Sequence, residues 1–455
     1  MIPIVTPEEM AAIDAAAPEP VDVLIDRAGR ATARAALDML GGAYGRVVVV
    51  LAGKGNNGAD GRSAAAHLRQ RGVQAHVIDA AMRPPLLPPS DLVIDAAYGT
   101  GFRGDWVGPQ LAGRSGTSPM VLAVDIPSGV DALTGEAGSG VLRADRTVTF
   151  QALKPGLVFG AGRLLCGEVT VADIGLDVEG ATSFLVDGGD VASWWTPRAR
   201  DAHKWQGAVR AVAGSAGMLG AGDLCAAAAA RMGAGLVALS SPGVDARARS
   251  EIIGRSIPAA DFDVTVLADL HRFAALVVGP GLGRQEDTIA SVRRLIAEAI
   301  VPVVIDGDGL FAAAWSADGA GPLVRPRERP TVLTPHDGEF AVLAGAPPGA
   351  DRIAAARSLA TDLDCTVLLK GPATVVVGPS GPTYVVDRGD ERLATAGSGD
   401  VLAGMLAALL AAGMEPERAA AAAAWVHGDA ARRGPARGFL AGDLLDLIPP
   451  TLEAL

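Results

Sequence analysis

The chain reads as two successive α/β domains, each a mainly parallel sheet covered by helices, and three observations lead there. Short runs rich in Val, Ile and Leu alternate with helical stretches along most of the length, and such alternation builds parallel sheets. The 455 residues exceed what one ordinary core accommodates. The alternation breaks once, at Ser193-Trp194-Trp195-Thr196-Pro197-Arg198-Ala199-Arg200. The boundary is set there, giving domains 1–197 and 198–455.

In the first domain the strand candidates are Val47–Leu51, Ala75–Ile78, Leu92–Ile94, Val121–Val124, Thr147–Phe150 and Val169–Val171. The loop Gly53-Lys54-Gly55-Asn56-Asn57-Gly58-Ala59-Asp60-Gly61 follows the first of them, and a helix is expected from about Arg62. Ligands of parallel sheets bind beyond the carboxyl ends of the strands. Asp95 and Asp125, each just past a strand, and Asp60 in the first loop are therefore expected to converge on one cleft. The second domain has strands at Val209–Ala213, Leu236–Ser240, Ala275–Val278, Val303–Ile305 and Val367–Leu369. Its helices are Ala221–Gly233 and a long Ala-rich one from about Asp400. The runs Ala226–Ala230 and Ala419–Ala424 are good helix formers that permit close packing and need no functional explanation.

A net charge of −12 argues against nonspecific nucleic-acid or membrane-surface binding. Cys166, Cys225 and Cys365 show neither metal spacing nor a disulfide framework, and read as buried small hydrophobes in a reducing compartment. The start lacks a basic and an apolar segment, so no secretory signal is read. The apolar stretches are broken by Gly, Arg and Asp, so no membrane span is read either, and a cytoplasmic protein is expected. Basic positions have drifted to Arg: the chain has only four lysines, Lys54, Lys154, Lys204 and Lys370, and all lie in or beside candidate motifs. A compact ammonium suits a tight site that a guanidinium fork does not.

The paired Asn56 and Asn57 are the only asparagines in the chain. A loop of this kind at a helix start presents N–H groups to an anion; the alternative is a turn that needs Gly and Asn for left-handed backbone. In the second domain, Gly279-Pro280-Gly281-Leu282-Gly283 lets backbone approach a ligand. Leu333-Thr334-Pro335-His336-Asp337-Gly338-Glu339 places an imidazole and two carboxylates after a strand, and Lys370-Gly371-Pro372-Ala373-Thr374 ends another with a cation and small residues. Thr395-Ala396-Gly397-Ser398-Gly399-Asp400 carries the strongest signal. Its glycines free N–H groups at a helix start, and Asp400 beside them is either a general base or a capping residue.

Gly397-Ser398-Gly399-Asp400 before a helix resembles the ribokinase-like superfamily, in which this Asp is the base and the preceding amides hold phosphates. Gly279 to Gly283, Thr334 to Glu339 and His203-Lys204 resemble the ADP- or ATP-dependent NAD(P)H-hydrate dehydratases. Asn56 to Gly61, Asp95 to Gly101, Val124 to Asp131 and Thr149 to Gly156 resemble the NAD(P)H-hydrate epimerases, and the order of the halves is that of the bacterial bifunctional nicotinamide nucleotide repair family. The resemblance implies a Rossmann-like three-layer α/β/α epimerase domain followed by a ribokinase-like α/β dehydratase domain. It implies an epimerase substrate loop of Asn56, Asn57, Gly58, Ala59 and Asp60, and a second of Gly99, Thr100, Gly101, Phe102, Arg103, Gly104 and Asp105. Asp125 would stand at the hydrated ring as a catalytic candidate, and Asn57, Asp95 and Ser128 would ligate potassium. In the dehydratase, Ala221, Gly281, His336 and the base Asp400 would contact hydrated NADH or NADPH. Lys370, Gly371, Pro372, Ala373, Thr374 and Gly399 would contact ADP or ATP, accompanied by magnesium. The family also suggests a homo-oligomer. Departures from the pattern are Ala59 for a usual glycine, Trp205 after His203-Lys204, and the glycines in Asp306-Gly307-Asp308-Gly309-Leu310. Rival readings are a small-molecule kinase with an accessory nucleotide-binding domain, and a catalytically silent nucleotide sensor.

Overall fold

A computed structural model describes residues 1–114, 116–245, 251–325 and 327–455. The chain divides into two compact units, the N-terminal one spanning Ile2–Ser183 and the C-terminal one running from Phe184 to Leu455.

All six expected strands of the N-terminal unit form, and they make one parallel sheet. Its order is Gln74–Asp79, Val47–Ala52, Leu92–Ala96, Met120–Val124, Arg146–Phe150, Glu168–Ala172. Leu51 pairs with Asp95 and Asp95 with Ala123, so the strand ends carrying the candidate acids align along one edge. On one face, the helices Val21–Leu40 and Asn56–Gln70 bury Leu24, Ala28, Ala36 and Leu68 against Val48, Val50 and Ile94. The other face, with Val49, Leu51 and Val93, is covered by the connections that carry Ala80, Leu87, Ala97 and Trp106. Pro and Gly are frequent there, between residues 83 and 113, and leave no stretch long enough for a helix.

The helix after the first strand begins at Asn56, not near Arg62, so the two asparagines lie in its first turn. Gly58 and Gly61 made this stretch read as a loop, but they are there for packing. A Cβ on Gly58 would sit 1.9 Å from the Gly53 carbonyl oxygen, and one on Gly61 2.5 Å from the Ala96 Cβ. Close contact with the sheet outweighs the helix-propensity cost of glycine, about 1 kcal/mol each. Ala59 is at home in this helix, its N–H bonded to the Gly55 carbonyl at 3.0 Å, so no glycine is needed there.

The division falls at Ser183/Phe184 and not at Pro197. Residues 184–197 go with the C-terminal unit because Val186 and Val191 are buried in its core, and Trp194 packs on Tyr384 with ring centroids 5.3 Å apart. In that unit, parallel strands run side by side in the order Thr366–Leu369, Thr331–Leu333, Val303–Ile305, Ala275–Val278, Ala208–Val212, Leu236–Ser240. Thr374–Val377 and Thr383–Val386 add an antiparallel meander, not anticipated from sequence, beside Thr366–Leu369. The expected last helix is two, Ser398–Ala411 and Pro416–Arg433, because Gly413 turns left-handed at φ +86° and Pro416 starts the second. These two and Leu219–Arg231 enclose the alanine-rich core, and the three cysteines are buried and form no disulfide with one another. Among the described residues no helix is long and apolar enough to cross a membrane.

Gly404 is where the helices Leu219–Arg231 and Ser398–Ala411 approach, since a Cβ there would lie 2.0 Å from the Cys225 carbonyl oxygen. Gly404→Ala is expected to destabilise the C-terminal unit by about 2 kcal/mol in urea denaturation, overpacking outweighing the gain in helix propensity. Gly220→Ala, where a Cβ meets nothing within 4 Å, is the control and should be neutral or mildly stabilising.

Candidate functional site

Each unit gathers its polar side chains at the carboxyl ends of its parallel strands, and each is described by itself. In the N-terminal unit a cavity of about 700 Å³ opens there. Asn56, Asn57 and Asp60 line it from the helix start, Gly99 to Phe102 from the loop after Leu92–Ala96, and Asp125 from the end of Met120–Val124. Gly58, Ala59, Arg103, Gly104 and Asp105, expected in the two substrate loops, do not line it. The first two helices supply an apolar wall, Met10, Leu24, Ile25 and Ala28, together with Asp14.

Beneath the cavity lies a buried ion pair. Asp125 is held in the left-handed region at φ +66°, a costly conformation for a residue with a Cβ. Lys154, 1% exposed, donates to Asp125 Oδ1 at 2.6 Å, to Thr149 Oγ1 at 2.9 Å and to the Phe150 carbonyl at 3.0 Å. All three ammonium protons are thereby used. The second oxygen, Asp125 Oδ2, faces Gly99, where a Cβ would sit 3.4 Å away. That Cβ would also stand 3.3 Å from the Asn57 amide carbon, so Gly99 keeps the floor between the two side chains open.

Asp60 is 8% exposed, and burial, then the charges of Asp125 and Asp14, push its pKa up to about 8. Removal from water raises Asp14 as well, opposed by Lys154. Burial raises Asp95, which accepts from Ser128 N–H at 2.9 Å and from Ser128 Oγ at 2.6 Å. Both polar atoms of the Asn57 amide are buried with no hydrogen-bond partner. An unmet amide of that kind costs about 1–3 kcal/mol and points to a ligand that completes it. Asp95 and Ser128, expected beside it, are fully buried, bonded to each other and do not line the cavity.

In the C-terminal unit the strand ends bring together Asp306, Thr334, Glu339 and Lys370. Lys370 Nζ lies 2.9 Å from Asp306 Oδ1 and 3.4 Å from Glu339 Oε2, and Thr334 Oγ1 donates to Asp306 at 2.7 Å. Burial opposes the lysine charge, but the two carboxylates outweigh it and hold the Lys370 pKa above its ordinary value. The same ammonium is 3.5 Å from where a Gly399 Cβ would be, so the only cation of the cluster points at the helix start. There Gly397 turns left-handed at φ +97° and opens the helix Ser398–Ala411; the Ser398 N–H is bonded to the Thr395 carbonyl, and the helix start favours an anion beyond it. Asp400 stands in that turn, and burial, then the charge of Asp306, push its pKa up to about 7.

Other expected residues fall around this cluster in different ways. Gly281, at φ +59°, and Ala221 are packed together, since a Gly281 Cβ would lie 2.7 Å from the Ala221 Cβ. His336 is 60% exposed and caps its helix, Nδ1 accepting from Gly338 and Glu339 N–H at 3.0 and 3.2 Å. Lys370 to Thr374 form the turn between two antiparallel strands, with Arg352 donating to the Lys370 carbonyl at 2.8 Å. Ala373 is buried in that turn and presents backbone only. Trp205 stacks with Arg272 and Phe273, which is a packing role. The sequence reading gave no site role to Asp14, Lys154, Asp306 or Glu339. Lysine scarcity flagged Lys154, and Asp306 sits in a motif noted only for its glycines.

Two family models match the chain: NAD(P)H-hydrate dehydratase over residues 209–451, and YjeF-related protein N-terminus over residues 21–86 and 78–156. The bifunctional NAD(P)H-hydrate repair enzyme Nnr of Mycobacterium leprae is 38% identical, covering 86% of this chain and 84% of its own. A ribokinase-like superfamily structure from Enterococcus faecalis superposes with a TM-score of 0.53 at 20% identity, over 60% of this chain and 96% of that one. The ADP/ATP-dependent NAD(P)H-hydrate dehydratase of Bacillus subtilis, co-crystallised with ATP/Mg2+, has a TM-score of 0.50 at 26% identity, covering 58% and 96%.

The raised Asp60 pKa makes the stability of the N-terminal unit depend on pH. Folded, the group keeps its proton to about pH 8; unfolded, it loses it near pH 4, the ordinary carboxylate range. Its contribution is therefore full below about pH 4 and is lost as pH rises towards 8. Asp60→Asn removes that loss, so the variant should gain a few kcal/mol over wild type in urea denaturation at pH 8.5 relative to pH 4. Equal pH slopes in the two proteins would contradict the assignment.

Proposed function

The chain belongs to the bifunctional NAD(P)H-hydrate repair enzyme family, and from that premise we propose how its two sites divide the work. The N-terminal unit interconverts the R and S forms of NADH or NADPH hydrated at ring carbon C6. The C-terminal unit removes water from the S form at the expense of ADP or ATP. The observation that carries the second assignment is the Lys370 ammonium facing the glycine-bounded helix start that bears Asp400. The first rests on the cavity over the Lys154–Asp125 pair.

In the C-terminal site Asp400 takes the proton of the C6 hydroxyl, for which a pKa near neutrality suits a base. The amides from Gly397 to Gly399 and the Lys370 ammonium stabilise negative charge on a transferring phosphoryl group. When bound, the nucleotide supplies that phosphoryl group, which turns a poor hydroxyl leaving group into a good one. Gly281 and Ala221 make room for the hydrated nucleotide beside His336, and the Lys370–Thr374 turn presents backbone to the adenine nucleotide. Magnesium accompanies the phosphates. In the N-terminal site Asn57 Oδ1, Asp95 and Ser128 would hold potassium, which when bound adds positive charge beside the substrate phosphate. The unpartnered Asn57 amide supports that reading. The proposal includes a homo-oligomer working in the cytoplasm, where nicotinamide nucleotides are damaged and three cysteines outside any disulfide remain reduced.

The direct test incubates the protein with mixed hydrate epimers, with and without ADP, and follows the absorbance of restored dihydronicotinamide. Full recovery with ADP supports both activities, recovery of the S fraction alone removes the epimerase, and a stable phosphorylated product indicates a kinase.

Asp400→Asn should lower dehydration by at least 100-fold, while R-to-S interconversion continues at the wild-type rate. In the wild type, kcat/KM for dehydration should rise with pH and level off above about 7, where Asp400 is ionised. Removing the neighbouring charge with Asp306→Asn should move that rise to lower pH. Asn57→Ala should raise the potassium concentration needed for half-maximal epimerisation at least tenfold and leave dehydration of pure S hydrate unchanged. An unaltered potassium requirement would remove Asn57 from the cation site.

A further inference from the structure

The N-terminal cavity holds more carboxylates than its one buried cation can pair. Asp14 faces it from the first helix, Glu19, paired with Arg27, from the turn that follows, Asp60 from the helix start and Asp125 from the strand end, with Lys54 on the exposed loop. Lys154 is spent on Asp125, Thr149 and Phe150. Among the described residues Asp60 makes no ion pair or side-chain hydrogen bond, although it is 8% exposed and opens onto the cavity. Its position is rigid, because Gly58 and Gly61 press the surrounding turn of helix against Gly53 and Ala96. Two carboxyl groups thus share one cavity in opposed environments. Asp125 accepts from an ammonium, whereas for Asp60 burial and the charges of Asp125 and Asp14 outweigh the more distant Lys154 and favour its neutral form. Environments pushed apart in this way separate an acid from a charge-stabilising carboxylate.

Taking the N-terminal unit as the epimerase, we propose that Asp60 is its catalytic acid and base, and that the bond broken is the one between C6 and its hydroxyl oxygen. The Asp60 carboxyl gives its proton to the C6 hydroxyl. The C6–O bond breaks, its electron pair leaves with the departing water, and the lone pair of ring nitrogen N1 forms a C6=N1 double bond. The resulting cation lies in reach of the Asp125 carboxylate, whose free Oδ2 faces the open floor at Gly99. A water then adds to the opposite face of C6, the C6=N1 electrons return to nitrogen, and the proton of that water goes back to Asp60. One water leaves and one enters, so no oxidant, reductant or further reactant is needed.

The experiment uses the full chain without ADP, pure R hydrate as substrate, and water enriched in oxygen-18. Wild type should place one heavy oxygen at C6 in each molecule converted to S. Asp60→Asn should lose at least 100-fold in the epimerisation kcat with KM changed less than threefold, and Asp60→Glu should recover part of the rate. ADP-dependent dehydration of S hydrate by the same preparations should match wild type, which shows that the variants are folded. A wild-type protein that epimerises while Asp60→Asn keeps its rate overturns Asp60 as the acid. Epimerisation that retains the original oxygen overturns cleavage of C6–O. No epimerisation by wild type removes the epimerase reading itself, an outcome distinct from both.

Discussion

Each unit is organised around a lysine set among carboxylates, fully buried in the N-terminal unit and partly buried in the C-terminal one, and most of what its site can do follows from that constraint. An ammonium out of water is tolerated only when every proton is donated and carboxylates stand close. Lys154 meets the condition with Asp125, Thr149 and the Phe150 carbonyl; Lys370 keeps a side-chain exposure of 20% and is held by Asp306 and Glu339 alone. The parallel sheets make this possible. Strand interiors such as Val47–Ala52 and Val303–Ile305 are apolar, so polar groups collect past the carboxyl ends. A guanidinium could not take the place of either lysine, since its flat fork would need a wider floor than three donors around one nitrogen require. In a chain whose other basic positions are almost all arginine, that is a physical reason for retaining lysine at these two.

A second consequence concerns the carboxyl groups that the lysines leave out. One ammonium satisfies its nearest acids and leaves another without a cation in the same low-dielectric space. In the N-terminal cavity that group is Asp60, and at the C-terminal site it is Asp400; both have raised pKa values, led by burial and reinforced by neighbouring acids. The two outcomes differ in degree. Asp400 sits in the first turn of a helix where the dipole favours an anion, and it rests near neutrality, ready to accept a proton. Asp60 lies deeper and is held higher, so it keeps a proton to give. Similar arithmetic of one cation against several acids thus yields a base in one unit and an acid in the other.

Much of this was legible in the sequence, and what was not has identifiable causes. Strands were readable because β-branched runs bounded by Gly and Asp have few other uses, and two of the three expected acids, Asp60 and Asp125, line the cleft; Asp95 does not, since it lies inside its strand, fully buried and bonded to Ser128. Asp60, Asp125, Asn57 and the Gly99 loop do meet there, as do Gly399, Lys370 and Asp400 at the other site. Asn56 and Asn57 were misplaced into a loop because Gly58 and Gly61 have poor helix propensity, whereas helix–sheet contact distance decided the matter. Asp14 could not be found because a lone carboxylate in an N-terminal helix has no local mark; only the fold brings it to a cavity built more than forty residues later. The segment 184–197 read as part of the first domain because the strand–helix alternation breaks only at residues 193–200, where Pro197 and the arginines interrupt it. Its attachment to the C-terminal core depends on tertiary packing that no spacing announces.

The unpartnered Asn57 amide shows why the asparagine pair is more than a turn. A helix that begins at Asn56 needs no asparagine there, since Gly55 serves as its extended cap without any side-chain bond. Alanine or serine at position 57 would favour the same helix without burying an amide that nothing satisfies. The fold therefore carries a local cost, about 1–3 kcal/mol for a buried polar group left unmet. A cost of this kind is recovered only when something enters the cavity that the amide can bind. Gly99 opposite points the same way, because a Cβ there would close the gap between Asn57 and Asp125 that the missing partner needs. Together these residues describe a site arranged for its ligand at the expense of the empty fold.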